Sequence, residues 1–216
     1  MIITLAPFFV DTHSSPMERL KPPRVPEQVL PHYSVEQARQ VVRVCKERTV
    51  LGARDKASIL VLLDTGMRAA ELVAMQTEDI AWDEAAILVH GKGGKQRQVA
   101  MGPTTARALD RYLRTRGSES PFVWLSERAG ERLSVNGLRM AMARRFKEAG
   151  VPFAGVHAWR RTSGIMFLDA GGNPEDLKEL MGWSSHQMLA HYTKAAAGDR
   201  AKKAHRRFSP TEQLGR

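Results

Sequence analysis

AILVHGKGGKQRQVA, residues 86–100, decides the fold class of this chain. Ala86 to His90 and Gln96 to Ala100 read as two short strands around Gly91-Lys92-Gly93-Gly94. Closely spaced glycines supply the positive φ that a tight reversal needs, so the stretch predicts a β-hairpin. Everything on either side has helical periodicity. Upstream, Ser34 and Gln37 have capping-box spacing, and Val35, Ala38, Val41, Val42 and Cys45 follow on one helical face. A second helix covers roughly 53–65, with Ala57, Ile59, Leu60, Leu62 and Leu63 as its stripe and Gly66 as its stop. A short helix starts within 68–75. Downstream, helices are expected at about 103–116, opened by Pro103, and at 134–148, closed before Gly150. Further helices are expected at 157–170, from Asn173-Pro174 to about 181, near 185–192 and near 198–207. The fold class that follows is mainly α with a small antiparallel β-sheet (α+β), without internal repeats.

Pro16, Pro22, Pro23, Pro26 and Pro31 lie among charges ahead of these elements. Such a stretch cannot be helical throughout and reads as an extended linker. The expected division is therefore 1–31 as an N-terminal segment with its linker, and 32–216 as one domain. Hydrophobic residues make up 43% of the chain, enough for a real core rather than a disordered polymer. The formal net charge of +10 implies a polyanionic partner, and either nucleic acid or an anionic membrane surface satisfies it. Cys45 is the only cysteine, which excludes an internal disulfide framework and fits a reducing compartment. It falls in an apolar-periodic stretch and reads as a packed thiol. No segment approaches the length of a membrane span. The opening MIITLAPFFV is short, lacks a basic start and contains Pro7, so it makes a poor signal peptide. The expected location is the cytoplasm.

Several residues have chemical potential, and each also has an ordinary structural reading. Arg68 and Glu71 suit an intrahelical ion pair. Lys92 suits a solvated hairpin tip. His157 and Arg160, three apart, share a helix face. Trp183 and Tyr192 suit core packing. The order of the phrases changes the weighing: TGMRAAEL, HGKGGKQRQV, HAWRR and MGWSSHQMLAHY follow one another along the chain. Together they resemble the tyrosine recombinase (phage integrase) family over roughly residues 20–207. The resemblance implies that family's catalytic-domain fold. It also implies a catalytic set of Arg68, Lys92, His157, Arg160, Trp183 and the nucleophile Tyr192, supported by Glu71. Two departures stand out. Arg161 occupies a position where the family often has histidine. In addition, only about 15 residues precede the linker, where family members carry a helical DNA-clamping domain.

Phosphodiester cleavage explains why these residue types belong together. Attack on phosphorus builds charge on the nonbridging oxygens, and fixed cationic donors must meet it. Arg68 and Arg160 are permanently charged and can fork onto two oxygens. Trp183 and His157 can each present a ring N–H. A free phenol ionises near pH 10, so Tyr192 needs neighbouring cations. Lys92, on a hairpin that can swing, is the candidate acid for the departing 5′ oxygen. By resemblance, the intermediate is a 3′-phosphotyrosyl link. Such a link stores the bond energy, so neither metal nor ATP is implied, and no phosphate-binding P-loop pattern or metal-ligand spacing occurs in the sequence.

The expected function is site-specific recombination. Two alternatives are a non-cleaving DNA-binding accessory protein derived from a recombinase and a type IB topoisomerase-like relaxer. The expected partner is double-stranded DNA, with Lys95, Arg97, Arg139, Arg144, Arg145 and Arg161 as candidate backbone contacts. The basic C-terminal segment, residues 202–208, implies by resemblance docking on a neighbouring subunit in a tetramer.

Overall fold

The computed structural model describes residues 31–91, 94, 96–127, 130–183 and 185–193, and beyond them 201, 202, 204–206, 209 and 211. The Pro-rich linker, Lys92 and Lys95 therefore lie outside the described residues. Of the expected C-terminal helix, 201, 202 and 204–206 are helical, while Lys203, Arg207 and Phe208 lie outside.

Eight α-helices, a short 3-10 helix (Thr77–Asp79) and three strands are the named elements among the described residues: α1 (Val35–Arg43), α2 (Val50–Thr65), α3 (Ala69–Ala74), β1 (Ile80–Ala81), β2 (Ala86–His90), β3 (Gln96–Ala100), α4 (Pro103–Arg116), α5 (Val135–Glu148), α6 (His157–Asp169), α7 (Pro174–Met181) and α8 (His186–Thr193). The strands form one antiparallel sheet in the order β1-β2-β3. Within the hairpin, Ile87 faces Val99 and His90 faces Gln96. Ile87, Val89 and Val99 turn into the core, while Leu88 points out, so the sheet is covered on one side. At the loop end of the hairpin, His90 Nε2 lies 2.8 Å from Asp79 Oδ1, and Gln96 Nε2 lies 3.2 Å from His90 Nδ1.

Local chemistry sets the helix ends. Ser34 and Gln37 close a reciprocal capping box at α1. Gly66 ends α2 with φ of 61°, a left-handed conformation that favours glycine. α2 begins three residues before the expected start, capped by the Thr49 hydroxyl, which accepts from Gly52 N–H. Polarity does not mark this start because α2 is buried nearly all round, with Ala53, Arg54, Asp55, Ala57, Ser58, Ile59, Val61 and Leu62 all enclosed. It forms the central rod against which α4 and α6 pack. Cys45 lies just past α1, buried, and its thiol is pushed up to about 12, chiefly by burial.

Two apolar clusters result. The larger joins α1–α5, the sheet and the start of α6 around Trp124, Trp159, Tyr112 and Phe146. The smaller comprises Leu168, Leu177, Met181, Trp183, Leu189 and Tyr192, on α6, α7 and α8.

A buried ionic knot centred on Asp55 crosses the larger cluster. Arg54 donates to Asp55 Oδ1 through Nε (3.0 Å) and Nη2 (2.8 Å), and Arg145 Nε donates to Oδ2 at 2.8 Å. Arg54 also donates through Nη1 to the Leu125 carbonyl, and Arg145 through Nη1 to Glu148. Removing the carboxylate leaves an enclosed guanidinium without its counter-charge. Asp55→Ala is therefore expected to cost about 3–5 kcal/mol, read as a lower urea midpoint at unchanged slope. A loss below about 1 kcal/mol would mean that the knot contributes only packing.

Candidate active site

The turn after α2 positions the first arginine. Gly66 reverses the chain, Met67 is buried, and Arg68 stands in extended conformation as the N-cap of α3. One turn later Glu71 reaches back. Its Oε2 accepts from Arg68 N–H and its Oε1 from Arg68 Nη1, both at 2.8 Å. The same carboxylate receives a fork from Arg97 on β3, Nη2 to Oε2 at 2.9 Å and Nη1 to Oε1 at 3.2 Å. Burial alone would raise the Glu71 carboxyl, but the bonds from Arg97 and Arg68 outweigh it and hold the group at about 2. Its depressed value makes its stabilising contribution full above the ordinary carboxylate range, near pH 4.3. That contribution is lost as pH falls toward 2.

α6 carries the next pair. His157 opens the helix at its exposed end, and Arg160 lies one turn on, only 2% exposed. Arg160 Nη1 donates to the Gly66 carbonyl and Nη2 donates to the Met181 carbonyl at 2.6 Å. Those acceptors terminate α2 and α7, so two helix C-termini aim their partial negative charge at one guanidinium. Burial, then the nearby Arg68, draws Arg160 down to about 10, which leaves it charged at neutral pH. Burial, followed by Arg161, Arg160 and Arg68, also lowers His157, so its ring is neutral there.

The far wall is aromatic. Arg160 Cζ lies 5.6 Å from the centre of the Trp183 ring, a cation–π distance. The Trp183 and Tyr192 rings are tilted with centroids 4.7 Å apart. Tyr192 is nearly buried. Burial pushes its phenol above the ordinary value, while Arg160 and Arg161 pull the other way. Its ring lies over Gly164, one turn beyond Arg160 on α6. A methyl on Gly164 would meet Tyr192 Cδ1 at 2.9 Å and Cε1 at 3.0 Å. Gly164→Ala is thus expected to push the phenol aside. Where Tyr192 acts chemically, DNA-linked adduct formation should fall about tenfold or more with little change in DNA affinity. An unchanged adduct rate would show that the glycine does not seat the ring.

Arg68, Glu71, His157, Arg160, Trp183 and Tyr192 are therefore gathered into one site, linked by the contacts and electrostatic couplings above. An open groove of about 690 Å³ runs past it, lined by Arg68, Glu71, Gly91, Gln96, Arg97 and Trp183, among others, which places the hairpin mouth beside the arginines. The sequence profile described as the Phage integrase family matches residues 33–198.

The chain belongs to the phage integrase family.

Curated relatives of this phage integrase family chain include the tyrosine recombinase XerC of Corynebacterium glutamicum, 34% identical over 142 residues, covering 65% of this chain and 46% of that protein. They also include the tyrosine recombinase XerA of Pyrococcus horikoshii, 27% identical over 183 residues, covering 83% and 62%. The chain thus spans about half to two thirds of the length of these relatives. Among solved structures, XerA recombinase superposes with a TM-score of 0.72 at 23% identity, over 88% of this chain and 67% of that one. The XerH recombinase in a post-cleavage complex with palindromic difH gives 0.70 at 20% identity, over 82% and 53%. At these identities the likeness establishes the fold, which is that of tyrosine recombinase catalytic domains.

The candidate backbone contacts of this integrase-family domain separate into different environments. Arg139 is exposed on α5. Arg144 is half exposed and pairs with Glu127 at 3.1 Å. Arg145 does not fit the expected role, because its guanidinium is enclosed between Asp55 and Glu148. Arg97 departs from it too, committed to Glu71 and, through Nε, to the Leu180 carbonyl at 3.1 Å. Arg161, at the position where histidine is frequent, donates through Nε to the Pro31 carbonyl at 2.6 Å and straps the incoming chain to α6. Tyr33 adds to that strap. Its N–H donates to Thr162, and its hydroxyl accepts from Ala154 N–H and donates to the Gly155 carbonyl. Sequence reasoning passed over Gly164 and Asp55. A glycine inside a helix costs about 1 kcal/mol relative to alanine, and that was the available signal for the first. Asp55 had none, since its partner Arg145 is 90 positions away.

Proposed function

We propose that this chain is the catalytic domain of a site-specific DNA recombinase that breaks and rejoins strands through a 3′-phosphotyrosyl link at Tyr192. The observation that carries it is the enclosed Arg160 guanidinium, held by the ends of two helices beside Arg68, with the Trp183–Tyr192 pair packed against it. Among the described residues, two of its five N–H groups are engaged by carbonyls, and the others remain to meet a phosphate. Arg68, half exposed at the groove, supplies the second cation. In the reaction, Tyr192 Oη bonds to phosphorus and its proton passes to solvent water. The P–O5′ bond breaks, and the leaving oxygen takes a proton from the Lys92 ammonium. Charge on the nonbridging oxygens is met by Arg68, Arg160, the Trp183 indole and a neutral His157. A different 5′-hydroxyl then reverses the step and exchanges strands. Double-stranded DNA is the partner and the cytoplasm the site of action. A ring of four subunits, joined through the basic C-terminal segment, brings two duplexes together.

The test uses nicked duplex oligonucleotides with randomised cores, incubated with the chain in EDTA and without ATP. In these duplexes the short cleaved piece diffuses away. A protein–DNA band that resists denaturing detergent and disappears with protease is the expected result. DNA retardation without any such band, across the whole pool, points instead to a binder that does not cut.

A further inference from the structure

Among the described residues, Arg97 is the one expected DNA contact whose side chain joins three parts of the site at once. It sits on β3 opposite Val89, a few residues after Lys92 in sequence, and its side chain is only 15% exposed. Its two Nη atoms clamp both oxygens of Glu71, its Nε holds the Leu180 carbonyl in the last turn of α7, and its stem passes the C-cap glycine Gly182, next to Trp183. Glu71 in turn receives two bonds from Arg68. Resting on the recombinase assignment, we propose that Arg97 is a positioning residue. It fixes the direction of the Arg68 guanidinium through Glu71 and the place of Trp183 through α7, and it does not grip the DNA backbone.

The physical reason lies in how loosely Arg68 is otherwise held. Its side chain is 46% exposed, and among the described residues its guanidinium makes one hydrogen bond, to Glu71. A long exposed side chain keeps much of its rotamer freedom, and a carboxylate held on one side can rotate about its last torsion. A bidentate guanidinium holds both oxygens in one plane, which fixes the acceptor Arg68 points from. Lysine in place of Arg97 keeps the charge but loses the fork and the Nε bond, so Arg97→Lys separates charge from geometry. It would preserve a phosphate contact and destroy a positioning one.

The experiment compares wild type, Arg97→Lys and Arg97→Gln on a captured nicked duplex from the pool above. DNA affinity is measured across a salt series, and adduct formation in single turnover across pH. For both variants the expected result is a rate about 10- to 100-fold lower, with Kd and its log–log salt slope unchanged. An acid limb should also emerge in the Arg97→Gln rate profile. Glu71 then lacks the two bonds that hold its carboxyl far below the ordinary range, so protonation reaches into the assayed pH. A salt slope shallower by about 0.9 in Arg97→Gln, with Arg97→Lys resembling wild type, identifies a phosphate contact and overturns the proposal. So does an unchanged rate. Thermal unfolding of both variants separates general destabilisation, which would lower the rate without the acid limb. A third measurement does not depend on cleavage. In DNA-free protein, nitrogen relaxation of the Arg68 Nε–H should report an ordered side chain in wild type and a mobile one in Arg97→Lys, and equal mobility in the two refutes the positioning role. Wild type that forms no adduct defeats the recombinase assignment instead, and the relaxation data still decide the proposal.

Discussion

Tyr192→Phe is expected to abolish covalent capture of DNA completely while leaving the fold and DNA affinity close to wild type. The ring remains, and with it the packing on Gly164 and against Trp183, so the α6–α7–α8 cluster keeps its apolar contacts. Only the oxygen proposed to bond to phosphorus is lost. Denaturing gels on nicked duplex read the adduct, gel retardation reads affinity, and a urea midpoint reads stability. An adduct that persists at more than trace level would place the nucleophile elsewhere. Lost affinity or stability alongside the adduct would recast the phenol as a structural group.

The second large effect is expected at Arg160. Arg160→Lys keeps a positive charge, yet one ammonium on a flexible stem cannot span the Gly66 and Met181 carbonyls and still face a phosphate. Leaving either buried carbonyl unpaired costs about 1–3 kcal/mol, so the urea midpoint should fall measurably. Losing a fixed donor from the developing charge is worth about 100- to 1000-fold in rate, and adduct formation should drop by at least that much. Because Arg160 is almost wholly enclosed, its loss should change Kd for DNA far less than it changes the rate. A variant with a raised Kd and a wild-type rate of adduct formation would show that Arg160 binds DNA without acting on the phosphate.

Parts of this structure were legible because short-range chemistry announces them. The change of period at residues 86–100 marked the hairpin, and Ser34, Gly66 and Asn173 marked helix ends through caps that involve neighbours within a turn. β1 was too short to show a period. Just ahead of it, an isolated bridge from Gln76 to Phe122 joins segments far apart in sequence. The beginning of α2 was obscured because a helix enclosed on all sides has no polar face to start counting from. In the site, motif order pointed to residues that the fold gathers across α3, α6, the α7–α8 turn and α8. What order could not reveal was which cations are already engaged. Arg97 and Arg139 look equivalent as letters, but one is clamped to Glu71 and the other lies open on α5. Pairings across tens of residues, such as Asp55 with Arg145 or Arg161 with Pro31, exist only once the chain is folded.

The attack of the Tyr192 phenol on a phosphate held by the two arginines is tested most directly by mapping the captured adduct. After nuclease and protease digestion, mass spectrometry should find a nucleotide 3′-phosphate on the peptide containing Tyr192. The peptides holding the other two tyrosines, Tyr33 and Tyr112, should be unmodified. A nucleotide on either of those peptides, or on a serine, would contradict the assignment.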